Sequence, residues 1–161
     1  MSDDKNEGGP FDWLAALPTP VMFLVFIGGG LLLDTVWHAE LPTSQIWQPL
    51  GWILIFAGGL AVLIAWTQID RIRKNHESGD GDGPKVATTG VFEYTRNPIY
   101  LGILIAIIGA GIKRNEVWLL ISALPAFMAL EFLVIPREEA DLTEKFGEEY
   151  TSYLEKVRRW L

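Results

Sequence analysis

The side chains able to do polar chemistry gather in two stretches. One is Arg96-Asn97-Pro98-Ile99-Tyr100-Leu101-Gly102; the other runs from Glu131 through Arg137-Glu138-Glu139 to Arg158-Arg159-Trp160. In the first, Pro98 suits the opening position of a helix and Asn97 suits its N-cap. The amino end of that helix then presents N–H groups suited to a carboxylate or phosphate. In the second, Glu131 lies inside an apolar run, where an ionisable side chain is a functional candidate. If the helix continues across Pro136, Glu131 and Glu138 share one face two turns apart. Glu138 and Glu139 are candidates for holding an ammonium, or for taking a proton from an amine or phenol. Arg137 beside them can clamp an anion with its guanidinium fork, or anchor a membrane span. The absence of cysteine excludes a thiolate nucleophile and a thiolate metal site. His38 and His76 are too far apart in sequence to read as a metal-ligand pair. On these grounds no metal is expected as a partner; nor is nucleic acid, since the net charge is -7 and no basic cluster is present.

The elements that must position these residues are apolar runs. Half of the chain is hydrophobic and its mean hydropathy is +0.24. A helix rises 1.5 Å per residue, so about 20 apolar residues span a hydrocarbon layer. The runs predict spans over 18–37, 47–66, 98–113 and 117–136. The third is short and is joined to the fourth by Lys113 and Arg114, which predicts a hairpin reaching the far surface. Small residues offer close helix contacts: Gly28, Gly29 and Gly30 in the first run, Ala57, Ala61 and Ala65 in the second, Gly102, Ala106 and Gly109 in the third. Residues 1–17 read as an acidic, disordered amino-terminal segment, and 77–84 as a flexible loop rich in glycine and aspartate. Past Pro136, Leu142, Phe146, Tyr150, Tyr153, Leu154 and Val157 recur at helical spacing and predict one amphipathic helix.

Basic residues set the orientation. Lys113 and Arg114 fall on one side; the other eleven lysines and arginines fall on the other if both termini are cytoplasmic. The expectation is an all-α integral membrane bundle of about four transmembrane helices with a carboxyl-terminal amphipathic helix on the cytoplasmic surface. It forms one domain over 18–161, with its polar segments 84–102 and 131–161 on the same side and membrane lipids around it.

These residues carry a resemblance. Thr88-Thr89-Gly90-Val91-Phe92 followed by Arg96-Asn97-Pro98-Ile99-Tyr100-Leu101-Gly102, and then Glu138-Glu139 with Leu142, Phe146-Gly147, Tyr150, Tyr153 and Arg158-Arg159-Trp160, resemble the two signatures of the isoprenylcysteine carboxyl methyltransferase family. They are similar as well to the wider group of phospholipid and small membrane methyltransferases. The resemblance covers about residues 84–161. It implies S-adenosylmethionine as cofactor, bound on the cytoplasmic side by positions matching Lys85, Val86, Ala87, Phe92, Asn97, Pro98, Ile99, Tyr100 and Glu138. Arg96 adds a cation for the carboxylate of such a cofactor. The implied acceptor is a lipophilic small molecule or a lipid, of which an isoprenylcysteine carboxylate is one type. Two other classes stay open: an NADPH-dependent membrane reductase of sterol or steroid type, and a non-catalytic membrane protein on the same scaffold.

Overall fold

The computed structural model describes residues 18–41, 44–77 and 86–161. The expected amino-terminal segment, the 77–84 loop beyond Glu77, and Lys85 lie outside the described residues. Among those described, the fold is all-helical. Helix α1 spans Thr19–Val36, α2 Ser44–Glu77, α3 Pro98–Arg114 and α4 Val117–Ala129. A 3-10 turn, Gly90–Glu93, precedes α3. After α4 a π turn, Leu130–Val134, leads without a break into α5, Ile135–Phe146, and then α6, Glu148–Lys156.

Three stretches are long and apolar enough to cross a membrane: Thr19–Val36, Gln45–Asn75 and Val117–Phe146. The chain is a multi-pass membrane protein. At 17 residues, α3 is about 25 Å long. It nevertheless runs the height of the bundle, because the α3–α4 turn meets the segment after α1. There Val117 N–H donates to the Ala39 carbonyl, and Leu41 N–H donates to Asn115 Oδ1 at 2.9 Å. Asn115 takes φ 61°, the left-handed conformation that ends a helix tightly.

Helix α3 lies between α2 and α4, and α1 packs on α4. The α2–α3 contact is closer than the expected alanine stripe provides. Among the described side chains of α2 the buried positions are Gly51, Gly58 and Ala65, two turns apart; Ala57 is exposed. A Cβ on Gly58 would lie 2.3 Å from the Gly102 carbonyl oxygen, and one on Gly109 would lie 2.8 Å from that of Gly51. Small residues permit this approach in lipid, where van der Waals contact replaces the hydrophobic drive. Of the glycine triplet in α1, Gly30 alone meets a neighbour, the Trp118 carbonyl of α4.

Three further expectations are corrected. Helix α2 does not stop near Trp66 but continues to Glu77. Its last turns are held by Asp70, which pairs with Arg73 at 2.7 Å and Lys74 at 2.6 Å, an i,i+3 and i,i+4 pattern that supports solvated helix. The tail is two helices, broken at Gly147 with φ 56°. The side chain of Asn97 does not cap α3, although the helix begins at Pro98.

Candidate cofactor site at one end of the bundle

The chemistry-bearing segments converge where α2 ends, α3 begins and α5 emerges. The 3-10 turn sets Phe92 into a buried cluster with Ala65, Tyr150 and Tyr153. The Tyr153 hydroxyl donates to the Phe92 carbonyl at 2.7 Å, tying α6 to the turn. Burial, with Tyr150 adding to it, pushes the Tyr153 phenol up to about 12. The Tyr150 phenol is raised as well, first by burial and then by the charge of Glu139.

Behind these rings runs a chain of charges. Arg96 donates from Nη1 to the Leu154 carbonyl at 2.8 Å, and its Nη2 pairs with Glu139 Oε1 at 2.9 Å. Glu139 Oε2 pairs with Arg159 Nη2 at 2.6 Å, and Arg159 Nη1 reaches Glu131 Oε1 at 2.7 Å. Trp160 Nε1 donates to Glu131 Oε2 at 2.8 Å. Arg96 and Glu139 are only 13% and 15% exposed, so each charge needs its partner to offset lost hydration. The hydrogen bond to Glu139, then that to Glu131, raises the Arg159 guanidinium further and keeps it charged.

Here the expected pairing is replaced. The helix does continue across Pro136, but Glu131 is linked to Glu139 rather than aligned with Glu138. A π turn holds one more residue than an α turn, so the alignment reached at seven residues in a regular helix is reached at eight. Glu138 instead accepts the Tyr100 hydroxyl at 2.5 Å. Asn97 Nδ2 donates to the Arg159 carbonyl at 3.1 Å, which explains why it does not cap α3.

Two adjoining cavities occupy this end. The first, about 380 Å³, is lined by Val86, Ala87, Phe92, Arg96, Tyr150 and Tyr153, with Ile69, Ile72 and Arg73 from the end of α2 and Leu142, Lys145 and Phe146 from α5. The second, about 270 Å³, is lined by Asn97, Pro98, Ile99, Tyr100, Glu138 and Glu139, and shares Phe92 and Arg96 with the first. Thus Val86, Ala87, Phe92, Arg96, Asn97, Pro98, Ile99, Tyr100, Glu138 and Glu139 are brought to one place. Lys85 is outside the described residues. Arg137 is exposed and lines neither cavity. A third, apolar groove of about 510 Å³ lies between α1 and α3, from Thr19, Pro20, Phe23 and Leu24 to Ile99, Tyr100 and Ile103. It meets the second cavity at Ile99 and Tyr100.

Sequence reasoning missed the α2 wall and the role of Arg159. The Asp70, Arg73 and Lys74 spacing signals that α2 continues; nothing local ties Arg159 to Glu139, twenty residues away in sequence.

Fold and site together define a polytopic helical membrane protein with an amphipathic cavity at one end, walled by paired charges and aromatic rings. The family model described as phospholipid methyltransferase matches residues 45–149, well over half of the chain, and the chain belongs to that family of membrane methyltransferases. Methanethiol S-methyltransferase 1 of Bradyrhizobium diazoefficiens is 29% identical over 145 residues, covering 84% of this chain and 48% of the relative. The chain therefore spans about half the length of that relative. No solved structure matches it.

Proposed function

We propose that this chain is an S-adenosylmethionine-dependent methyltransferase that acts at the cytoplasmic end of its helices on a lipophilic acceptor. The observation that carries this reading is Arg96: its Nε is buried and without a hydrogen-bond partner in the protein, and it borders both cavities. Buried donors are normally satisfied, and a ligand carboxylate would satisfy this one. Glu138 sits across the second cavity as an acceptor for the ammonium of the same ligand. Among the described residues no lysine or arginine is paired with it. Phe92, Tyr150 and Tyr153 give the first cavity the flat apolar walls that suit an adenine ring. The residues present fit the cofactor. When bound, it supplies a sulfonium methyl for in-line transfer, a reaction governed by positioning.

The groove between α1 and α3 gives an apolar acceptor a route from the bilayer to Tyr100. The acceptor's reacting atom would then arrive beside Tyr100, and an acceptor that is already a thiolate or carboxylate needs no base there. The relative named for methanethiol fits an acceptor with little polar surface.

Calorimetric titration of detergent-solubilised protein tests the reading. S-adenosylmethionine should bind and NADPH should not. Glu138→Gln keeps the shape and removes the charge, so it should weaken binding by about 1.5–3 kcal/mol. Glu148→Gln, on an exposed face of α6, should leave affinity unchanged. Equal losses from the two variants, or preferential NADPH binding, would refute the assignment.

A further inference from the structure

The segment Arg158–Trp160 crosses the mouth of α3 and is bound there by backbone as well as side chains. Arg96 N–H donates to the Arg158 carbonyl at 3.0 Å. Thr95 Oγ1 and Asn97 Nδ2 both donate to the Arg159 carbonyl, at 3.0 and 3.1 Å. Trp160 packs on Phe127 with ring centroids 5.1 Å apart. The segment would therefore be held without the Arg159 side chain. That side chain faces inward between two acids from different parts of one long helix, Glu131 in the π turn and Glu139 in α5.

We propose that Arg159 is a positioning residue of the cofactor site, fixing Glu139 and, through it, the guanidinium plane of Arg96. Arg159 lines neither cavity, so it acts through its partners. Its Nε and Nη2 both donate to Glu139, at 3.3 Å to Oε1 and 2.6 Å to Oε2. This two-point contact orients the carboxylate, leaving Oε1 aimed at Arg96 Nη2. Arg96 is then held at two corners, by Glu139 and the Leu154 carbonyl, with Nε left for a ligand. A planar fork can set this orientation; an ammonium supplies charge but no plane. The inference rests on the cofactor reading proposed above.

The test is S-adenosylmethionine affinity, measured by calorimetry on the solubilised full chain, alongside its thermal midpoint. Arg159→Lys keeps the charge between Glu131 and Glu139 and should lower affinity about tenfold with a midpoint near that of the wild type. Trp160→Phe removes the indole donor to Glu131 and loosens the same segment, yet leaves Glu139 and Arg96 untouched; its affinity should match the wild type. An Arg159→Lys variant that binds like the wild type overturns the proposal. So does a Trp160→Phe variant that loses as much affinity as Arg159→Lys, which would reduce Arg159 to a docking contact. If Arg159→Lys does not fold, the loss in Glu139→Gln decides: tenfold or more supports the orienting chain, and an unchanged affinity overturns it. A wild-type chain that fails to bind the cofactor at all refutes the underlying reading instead, and this inference with it.

Discussion

Replacing Gly58 by alanine should damage the site from inside the membrane, although Gly58 itself lines none of the cavities. A Cβ there would stand 2.3 Å from the Gly102 carbonyl oxygen and 2.9 Å from the Ala106 nitrogen, against a practical floor of 3.0 Å. Both partners are backbone atoms and cannot rotate aside, so α2 and α3 must separate by several tenths of an ångström. Overpacking of this kind costs about 1–3 kcal/mol. Gly102 is two residues from Tyr100, so the displacement is delivered to the second cavity. A misplacement approaching 1 Å at a reacting centre costs about 10²-fold in rate. The neighbouring Gly59 supplies the control: a Cβ there meets nothing within 4 Å, and alanine gains up to about 1 kcal/mol of helix propensity. Thermal unfolding in detergent should therefore place Gly58→Ala below the wild type and Gly59→Ala level with it or above. Cofactor affinity should fall in the first variant alone. Two variants that behave alike would show that the α2–α3 contact does not set the geometry of the site.

Alkaline pH offers a separate handle. Tyr153 is neutral when protonated, and its folded value of about 12 exceeds the ordinary 10. Its contribution is therefore complete below pH 10 and is lost between pH 10 and 12, to a limit of about 2–3 kcal/mol. Tyr153→Phe should be less stable at pH 7 through loss of the bond to Phe92, yet should fall less steeply with rising pH. Identical alkaline slopes in urea or thermal melts would contradict this. Orientation can be checked by labelling single cysteines in intact cells with an impermeant reagent: Ser44→Cys should react from outside and Ser78→Cys should not, and the reverse pattern would place the site on the opposite face.

Most of the fold was legible because hydrophobic runs and their flanking charges report membrane helices directly. The helix start at Pro98 follows from proline's fit at a first helical position, while the convergence of 86–102 with 131–160 is what the family resemblance implied and the distribution of basic residues allowed. The small residues of α3 that face a neighbour, Gly102, Ala106 and Gly109, were legible; those of α2 were not. Gly51, Gly58 and Ala65 compete in sequence with Ala57, Ala61 and Ala65, and only the rotation of α2 against α3 chooses between them. The reach of α2 past Trp66 was obscured because hydropathy ends where the hydrocarbon would, while the helix continues on side-chain pairs around Asp70.

The sequence by itself determined the all-helical, multi-pass character of this protein and the residues from which a site could be built, since apolar length, proline at a helix start and paired acids are local properties. The tertiary structure alone decided how those residues are paired. One extra residue in the turn Leu130–Val134 rotates α5, so that Glu139 rather than Glu138 shares Arg159 with Glu131, and Glu138 is left to Tyr100. Asn97 reads as a cap in sequence, but its amide is drawn to the carbonyl of a residue 62 positions away. Such choices depend on distances between segments far apart in the chain, and no local pattern of residues encodes them.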